Sequence, residues 1–289
     1  MTLKRTFLAL AAAASFAGAI GASAAYAAEA MTPPRQSWSF SGPFGRYDQA
    51  QLQRGFKVYK EVCAACHSLN LLRFRNLAEP GGLGFSVAQA AAIAAEYKIK
   101  DGPNDQGEMF ERDGRIADAF PWNFPNEAAA RAALGGALPP DMSVIAKART
   151  YERGFPWFVL DMFTQYQEQG PDYLTALMLG YREKPADMVM PSPTMQYNMY
   201  FPGNAMSMPP PLTNDRVTYD DGTPQTIEQY AKDTSAFLMW VAEPHLMERK
   251  RIGFQVMIFL IVFAGLLYFT KKKVWHAVEL EPGAAEKKS

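Results

Sequence analysis

The chain has few side chains that bind metals through sulfur or nitrogen: two cysteines and three histidines occur in 289 residues. Both cysteines lie in a CAACH segment that begins at Cys63 and ends at His67. The other histidines, His245 and His276, lie on opposite sides of a long apolar run, so they cannot both complete a zinc site with the two thiols. A thioredoxin-like dithiol would need a βαβ context, which the neighbouring sequence does not indicate.

The CAACH segment is instead typical of covalent attachment of a c-type haem. Cys63 and Cys66 lie on adjacent turns, where each thiol can form a thioether with one vinyl group of the haem. His67 is then held beneath the iron as an axial ligand. Because the pattern occurs once, the sequence predicts one haem and a redox role.

The N-terminus predicts a signal peptide over residues 1–27. Lys4 and Arg5 precede an alanine-rich apolar core, and small residues around Ala27 suit a signal peptidase. Haem is attached to c-type cytochromes outside the bacterial cytoplasm, so export and the CAACH segment support each other.

A second apolar segment lies near the C-terminus and predicts a membrane span. Ile252 to Thr270 comprises 19 residues without a charge, with three basic residues on each flank. Because the two flanks carry equal numbers of basic residues, the positive-inside rule does not set the orientation of the span. The signal peptide does: it predicts a single-pass protein of the inner membrane with a periplasmic haem domain and a cytoplasmic tail over residues 271–289.

The net charge of zero hides a split between regions. Residues 28–247, the predicted exported haem domain, contain 19 Lys and Arg against 25 Asp and Glu, a formal charge of −6. Such a domain suits a basic protein partner, although the charge also fits ordinary solubility. No nucleic acid partner is expected.

Alternating strand patterns are few, so the predicted fold is mainly α, a c-type cytochrome haem domain with long loops and one C-terminal transmembrane helix. Leu52, Phe56, Tyr59 and Cys63 recur at helical spacing, and Gly55 within this helix suggests a close crossing. Near the end, Thr223-Pro224 resembles an N-cap with a first-turn proline. The helix that follows has a stripe formed by Ile227, Tyr230, Thr234, Phe237 and Val241.

An aromatic-rich stretch over residues 149–170 is expected to form a small helical excursion with a core of its own, without site chemistry.

The chain has 15 methionines that compete for the role of second axial ligand of the iron. A methionine ligand would raise the reduction potential and suit electron transfer. Met208 is favoured because Pro209, Pro210 and Pro211 could stiffen the loop that presents its sulfur. Met206 is the local competitor, and composition does not separate the two.

Several further segments, together with the CAACH motif, give the chain a specific resemblance to the cytochrome c1 family, the haem subunit of the quinol:cytochrome c oxidoreductase. They stand in the family's order and span nearly all of the mature chain. These segments are Asp101–Asn104 with Gly107–Phe110, Gly136–Asp141, Tyr200–Gly203, Asp220–Pro224 and Trp240–Pro244.

The resemblance implies thioethers at Cys63 and Cys66 and one haem c. It implies axial iron ligands at His67 and Met208, the latter preferred because the family's methionine stands immediately before the proline-rich turn. It places Pro139 and Pro140 against the haem and implies that Arg149 interacts with a haem propionate. The 151–170 region departs from the compact mitochondrial pattern and resembles a bacterial-type insertion.

The implied function is outer-sphere electron transfer from the Rieske iron–sulfur protein to cytochrome c, in a complex with cytochrome b that is expected to be dimeric. The chain would not be an enzyme by itself. Alternatives are a haem subunit of a terminal oxidase, a peroxidase and a structural anchor. An acidic run is either a docking surface for a basic cytochrome c or an ordinary solvated surface. Its members are Glu96, Asp101, Asp105, Glu108, Glu111, Asp113 and Asp118.

Overall fold

A computed structural model describes residues 30–164 and 166–279 of the chain. The predicted signal peptide over residues 1–27 and the last ten residues of the predicted cytoplasmic tail lie outside this range.

The described chain is mainly α-helical, which confirms the predicted fold class. Two short antiparallel pairs are its strands: β1 (Lys98–Asp101) with β2 (Phe110–Asp113), and β3 (Gln196–Tyr197) with β4 (Ala205–Met206). Long loops and two 3-10 turns connect the helices. The helices are α1 (Gln49–Glu61), α2 (Val87–Ala95), α3 (Glu127–Ala133), α4 (Ile145–Ala148), α5 (Trp157–Thr164), α6 (Gln169–Leu179), α7 (Ile227–Ala242) and α8 (Leu246–Glu279).

The crossing of α1 and α7 is the centre of the domain. A Cβ atom at Gly55 would overlap the backbone carbonyl oxygen of Asp233 on α7, so the absence of a side chain permits this close approach. The expectation of a close crossing at Gly55 is therefore confirmed. Phe56, Tyr59 and Phe237 are buried beside it, and the Phe237 ring contacts the other two.

A fully buried carboxylate reinforces the crossing. Asp233 accepts hydrogen bonds from the side chains of Gln51, Arg54, Tyr219 and Gln229. A buried charge is tolerated only when it is paired and hydrogen-bonded, and Arg54 supplies the countercharge at 2.8 Å. This network links both helices to the segment that precedes α7.

The predicted start of α7 at Thr223-Pro224 is wrong by three residues. Thr226 is the N-cap, and its hydroxyl accepts from the backbone N–H of Gln229 at 3.3 Å. The N–H of Thr223 is instead bonded to the Asp221 carboxylate at 3.0 Å, within a turn. Either threonine could cap this helix by residue type, but Thr223 belongs to the turn formed by Asp221, so the helix begins after Thr226.

The expected separate core of residues 149–170 is also wrong. Helix α5 forms there, but Phe155, Phe158 and Phe163 are exposed. The two tyrosines, Tyr151 and Tyr166, instead direct their hydroxyl groups to the buried Asp172 carboxylate on α6. The region is thus attached to the main domain through polar contacts.

Helix α8 contains the predicted span and extends beyond both of its ends. Its stretch Leu246–His276 is the one helix of the described range that is long and apolar enough to cross a membrane. With 34 residues the helix is about 51 Å long, against about 30 Å for the hydrocarbon core of a bilayer. Leu246 at its start is buried in the main core, so the helix that contains the span begins within the domain.

Candidate haem site

The CAACH segment forms a tight turn at the end of α1. A 3-10 turn covers Cys63–Ala65, and the Cys63 carbonyl accepts from the N–H groups of Cys66 at 3.1 Å and His67 at 2.9 Å. Helix α1 buries its apolar face against α7, so the crossing fixes the position of the turn.

The two thiols are free and differ in exposure. Cys63 is buried, and burial raises the pKa of its thiol to about 12, whereas Cys66 is half-buried. Among the described residues, no group of three or more Cys, His, Asp or Glu side chains is arranged to hold a metal ion. The zinc alternative therefore lacks its further ligands.

The His67 ring is oriented by a backbone carbonyl. Its Nδ1 lies 2.8 Å from the oxygen of Pro140, and since a carbonyl only accepts, Nδ1 carries the proton. Burial lowers the pKa of the imidazole and favours its neutral form. Nε2 then keeps a lone pair for a metal, which is the arrangement that metal-binding histidines usually adopt.

Asp141 fastens the loop that provides this carbonyl. Its carboxylate accepts from the Ser68 hydroxyl at 2.7 Å and from the N–H groups of Asn70 at 2.9 Å and Ser143 at 2.8 Å. Burial opposes ionisation, but these hydrogen bonds outweigh it and hold the pKa of the carboxyl below its ordinary value. The sequence analysis places Asp141 in the Gly136–Asp141 segment of the family but assigns it no role.

Three further side chains hold carbonyl groups of the CAACH turn. The indole Nε1 of Trp122 donates to the Cys66 carbonyl at 2.8 Å, and the Asn123 amide donates to the Ala64 carbonyl at 2.8 Å. The Tyr59 hydroxyl donates to the His67 carbonyl at 3.1 Å. Sequence reasoning missed Trp122 and Asn123, because no local pattern links them to a turn more than fifty residues away.

Met208 and Met206 differ in their contacts with Tyr181. The tyrosine hydroxyl lies 3.5 Å from the Met206 sulfur and 3.1 Å from the Met208 backbone carbonyl. Met206 also belongs to β4 and packs against the main core. The sulfur of Met206 is thus engaged within the protein, whereas Tyr181 contacts Met208 through the backbone.

Arg149 lies at the C-terminal end of α4, where its N–H is bonded to the Ile145 carbonyl at 2.9 Å. The residue is exposed. Its guanidinium lies close enough to Tyr173 to oppose the rise that burial causes in the pKa of that phenol. The propionate contact stays a prediction.

The donor set fits a covalent haem. The free thiols of Cys63 and Cys66 lie on the CAACH turn. Next to them is the His67 imidazole, whose Nδ1 is hydrogen-bonded to a backbone carbonyl. A c-type haem needs two thioethers and one imidazole nitrogen, which these three side chains can supply.

Comparison with known proteins is consistent with this chemistry. A sequence model described as "Cytochrome C1 family" matches residues 38–278. "Cytochrome c1" of Blastochloris viridis is 48% identical over 281 residues, which cover 96% of this chain and 99% of the relative. "Cytochrome c1, heme protein, mitochondrial" of Kluyveromyces lactis is 41% identical over 91% of this chain and 84% of its own length.

A longer relative is "Cytochrome b/c1" of Bradyrhizobium diazoefficiens, which is 65% identical over 243 residues. The match covers 84% of this chain but 35% of that protein, so the chain spans about a third of it. The family match over residues 38–278 includes the haem site and almost all of α8. The chain therefore belongs to the cytochrome c1 family, the membrane-anchored, haem c-bearing electron-transfer subunits of cytochrome bc1 complexes.

Proposed function

We propose that the chain relays single electrons from the Rieske iron–sulfur protein to cytochrome c, with His67 and Met208 as the two axial ligands. The observation that carries the proposal is the 2.8 Å hydrogen bond from His67 Nδ1 to the Pro140 carbonyl. It prepares one nitrogen of a neutral imidazole for coordination. Haem c, when bound, supplies an iron couple that accepts and donates one electron without making or breaking a substrate bond.

The protein's part in this function is to hold its ligands still. Cys63 and Cys66 would anchor the haem through thioethers, and the carbonyl groups of their turn are fixed by Trp122 and Asn123. Rigid ligands favour rapid electron transfer, because little has to move when the charge of the iron changes. Pro139 and Pro140 are proposed to pack against the haem, and the Pro140 carbonyl also orients His67.

Met208 is proposed over Met206 as the second axial ligand. The Met206 sulfur lies 3.5 Å from the Tyr181 hydroxyl, and coordination would cost this contact. Binding through Met208 would leave the β3–β4 pair and the contact of Tyr181 with the Met208 carbonyl intact. Arg149 is proposed to interact with a haem propionate, for which its exposed guanidinium is suited.

The orientation follows from the proposed signal peptide over residues 1–27. The haem domain, residues 28–247, would be periplasmic, the span over 252–270 would cross the inner membrane, and the tail over 271–289 would be cytoplasmic. Cytochrome b and the Rieske protein are the proposed partners within a dimeric complex. The burial of Leu246 in the domain core supports a haem domain held directly at the membrane surface.

Three of the seven acids in the acidic run are proposed as the docking surface for cytochrome c. The other four form ion pairs: Glu96 with Lys60, Asp113 with Lys98, and Asp101 and Asp118 both with Arg112. Within the described part of the chain, the proposed three form no ion pair and are exposed on or beside the β1–β2 hairpin. These are Asp105, Glu108 and Glu111.

Neutralising the three acids together, as Asp105→Asn, Glu108→Gln and Glu111→Gln, is expected to slow the reduction of a basic cytochrome c several-fold at low salt. The effect should shrink as salt screens the attraction. Asp113→Asn is the matched control, because Lys98 already offsets its charge. Equal rates for the triple variant and the native protein at every ionic strength would remove the hairpin from the docking surface.

The relay itself is tested on the complex purified from membranes through an affinity tag on the tail. Cytochrome b and a Rieske protein should co-purify, and quinol should reduce the haem c. Extraction of the Rieske protein should abolish this reduction. After chemical reduction of the haem, added oxidised cytochrome c should reoxidise it in either preparation. Reduction by quinol at the native rate without the Rieske protein would contradict the proposed electron donor.

A further inference from the structure

Helix α5 has its polar and apolar sides reversed relative to a helix that faces water. Asp161 is 9% exposed, whereas Met162 is 74% and Phe163 82% exposed. Helices at a water-facing surface bury their apolar stripe and expose charged residues. The other exposed large apolar side chains of α5 and the residues just before it are Phe155, Trp157, Phe158 and Leu160.

The inward side of α5 is fixed by charge. Asp161 forms an ion pair with Arg153, and the Arg153 guanidinium lies 5.1 Å from the centre of the Trp157 ring and 5.6 Å from that of Tyr166. Gln169 on α6 also donates to Asp161, at 3.4 Å. These contacts hold the helix with its apolar side outward, so the exposure of that side is part of the fold.

The first turns of the membrane span lie beside α5. Phe158 and Met162 line a groove of about 1170 Å³ whose opposite wall includes Phe254 and Met257 of α8. Phe254 also contacts the exposed Phe44, and the centres of the two rings are 5.6 Å apart. Apolar side chains of α5 and of the first turns of the span thus line one groove, and charged residues, among them Arg153, Asp161, Arg249 and Lys250, line the rest of it.

The depth of this groove follows from the helix rise. Arg251 is the last charged residue before the span, and Met257 lies about 9 Å further along the helix axis. The α8 wall of the groove runs from Leu246 to Met257, so the groove extends from the headgroup level at Arg249 and Lys250 to the start of the acyl chains at Met257. Trp is enriched at this level of membrane proteins, and Phe and Leu are common on the apolar side of helices that lie in the interface.

We propose that α5 is a membrane-interfacial helix whose apolar side, formed by Phe155, Trp157, Phe158, Met162 and Phe163, lies in the lipid of the leaflet nearest the haem domain. Phospholipid covers this apolar side. Together with α8, the helix gives the haem domain a second contact with the bilayer and limits its tilt about the single span. The inference concerns the placement of the domain and stands independently of the proposed electron donor and acceptor.

The proposal is tested by replacing Phe163 with p-benzoylphenylalanine in the full chain and irradiating native membranes that contain the assembled complex. Because Phe163 is 82% exposed, the larger ring should leave the fold intact, which the haem absorption spectrum checks. The cross-linked peptide is then identified by mass spectrometry. We expect phospholipid adducts at Phe163.

Two further positions calibrate the yield. Leu260, in the middle of the span, should give lipid adducts, and the exposed Met109 beside β2 should give none. Lipid adducts at Phe163 comparable to those at Leu260 support the proposal. Adducts to another polypeptide, to a second copy of this chain, or a lipid yield no higher than at Met109 would each overturn it.

Discussion

The two segments proposed to supply the iron ligands are held in different ways. On the histidine side, Asp141 accepts two hydrogen bonds that tie the Pro140 loop to Ser68 and Asn70, just beyond His67, and a third from Ser143 within the loop. On the methionine side, Met208 follows a two-residue strand pair and is held through its carbonyl by Tyr181. The difference indicates that the histidine is preorganised by the fold, whereas the methionine lies on a more loosely held segment.

The largest effect is expected from removing the anchor of the histidine side. Asp141→Ala would leave the Ser68 hydroxyl and the N–H groups of Asn70 and Ser143 without their acceptor. The loss of these hydrogen bonds should lower the free energy of unfolding by about 2–4 kcal/mol. Denaturant unfolding followed by haem absorption measures this change.

Asp141→Asn is the matched variant, because an amide oxygen still accepts from one or two of the same donors. It should lose less stability than Asp141→Ala. Equal stability of Asp141→Ala and the native protein would mean that the histidine side is not held as the contacts indicate, and the comparison would fail.

An intermediate effect is expected at the turn itself. Trp122→Phe keeps the ring but removes the donor to the Cys66 carbonyl, which should destabilise the protein by about 1 kcal/mol. Trp275→Phe, at an exposed position on α8, serves as control and should be neutral. The same loss in both variants would show that the indole hydrogen bond contributes nothing specific.

The smallest effect on stability is expected on the methionine side. Tyr181→Phe removes the hydroxyl near Met206 and Met208 and should cost less than about 1 kcal/mol. It should nevertheless speed the displacement of the methionine by added imidazole or cyanide, because the segment is less restrained. Stopped-flow spectroscopy of ligand binding measures this rate, with Tyr197→Phe on β3 as control. An unchanged rate would place the restraint of Met208 elsewhere.

Local patterns in the sequence predicted the parts that depend on neighbours along the chain. The CAACH turn, the buried stripe of α1 and the close crossing at Gly55 each follow from residue type and spacing. The start of α7 was misplaced because Thr223 and Thr226 are equivalent as caps until the Asp221 turn is known. The spacing of apolar residues does not show which of the two threonines is the cap.

No local sequence pattern predicted the contacts between segments that are distant along the chain. Trp122 and Asn123 reach the CAACH turn across 56 and 59 residues, and Asp141 reaches Ser68 across 73. Likewise, the aromatic residues around α5 predicted burial, but apolar composition alone does not distinguish a protein core from lipid. That distinction needs the position of the helix beside the span.

The central claim is that His67 and Met208 close the coordination of one haem iron. Its most direct test is the reduction potential of the haem in the purified complex carrying Met208→Leu, with Met206→Leu as the matched control. A large fall in potential and the loss of the low-spin His/Met spectrum are expected in Met208→Leu, and native values in Met206→Leu. A native potential and spectrum in Met208→Leu would contradict the claim.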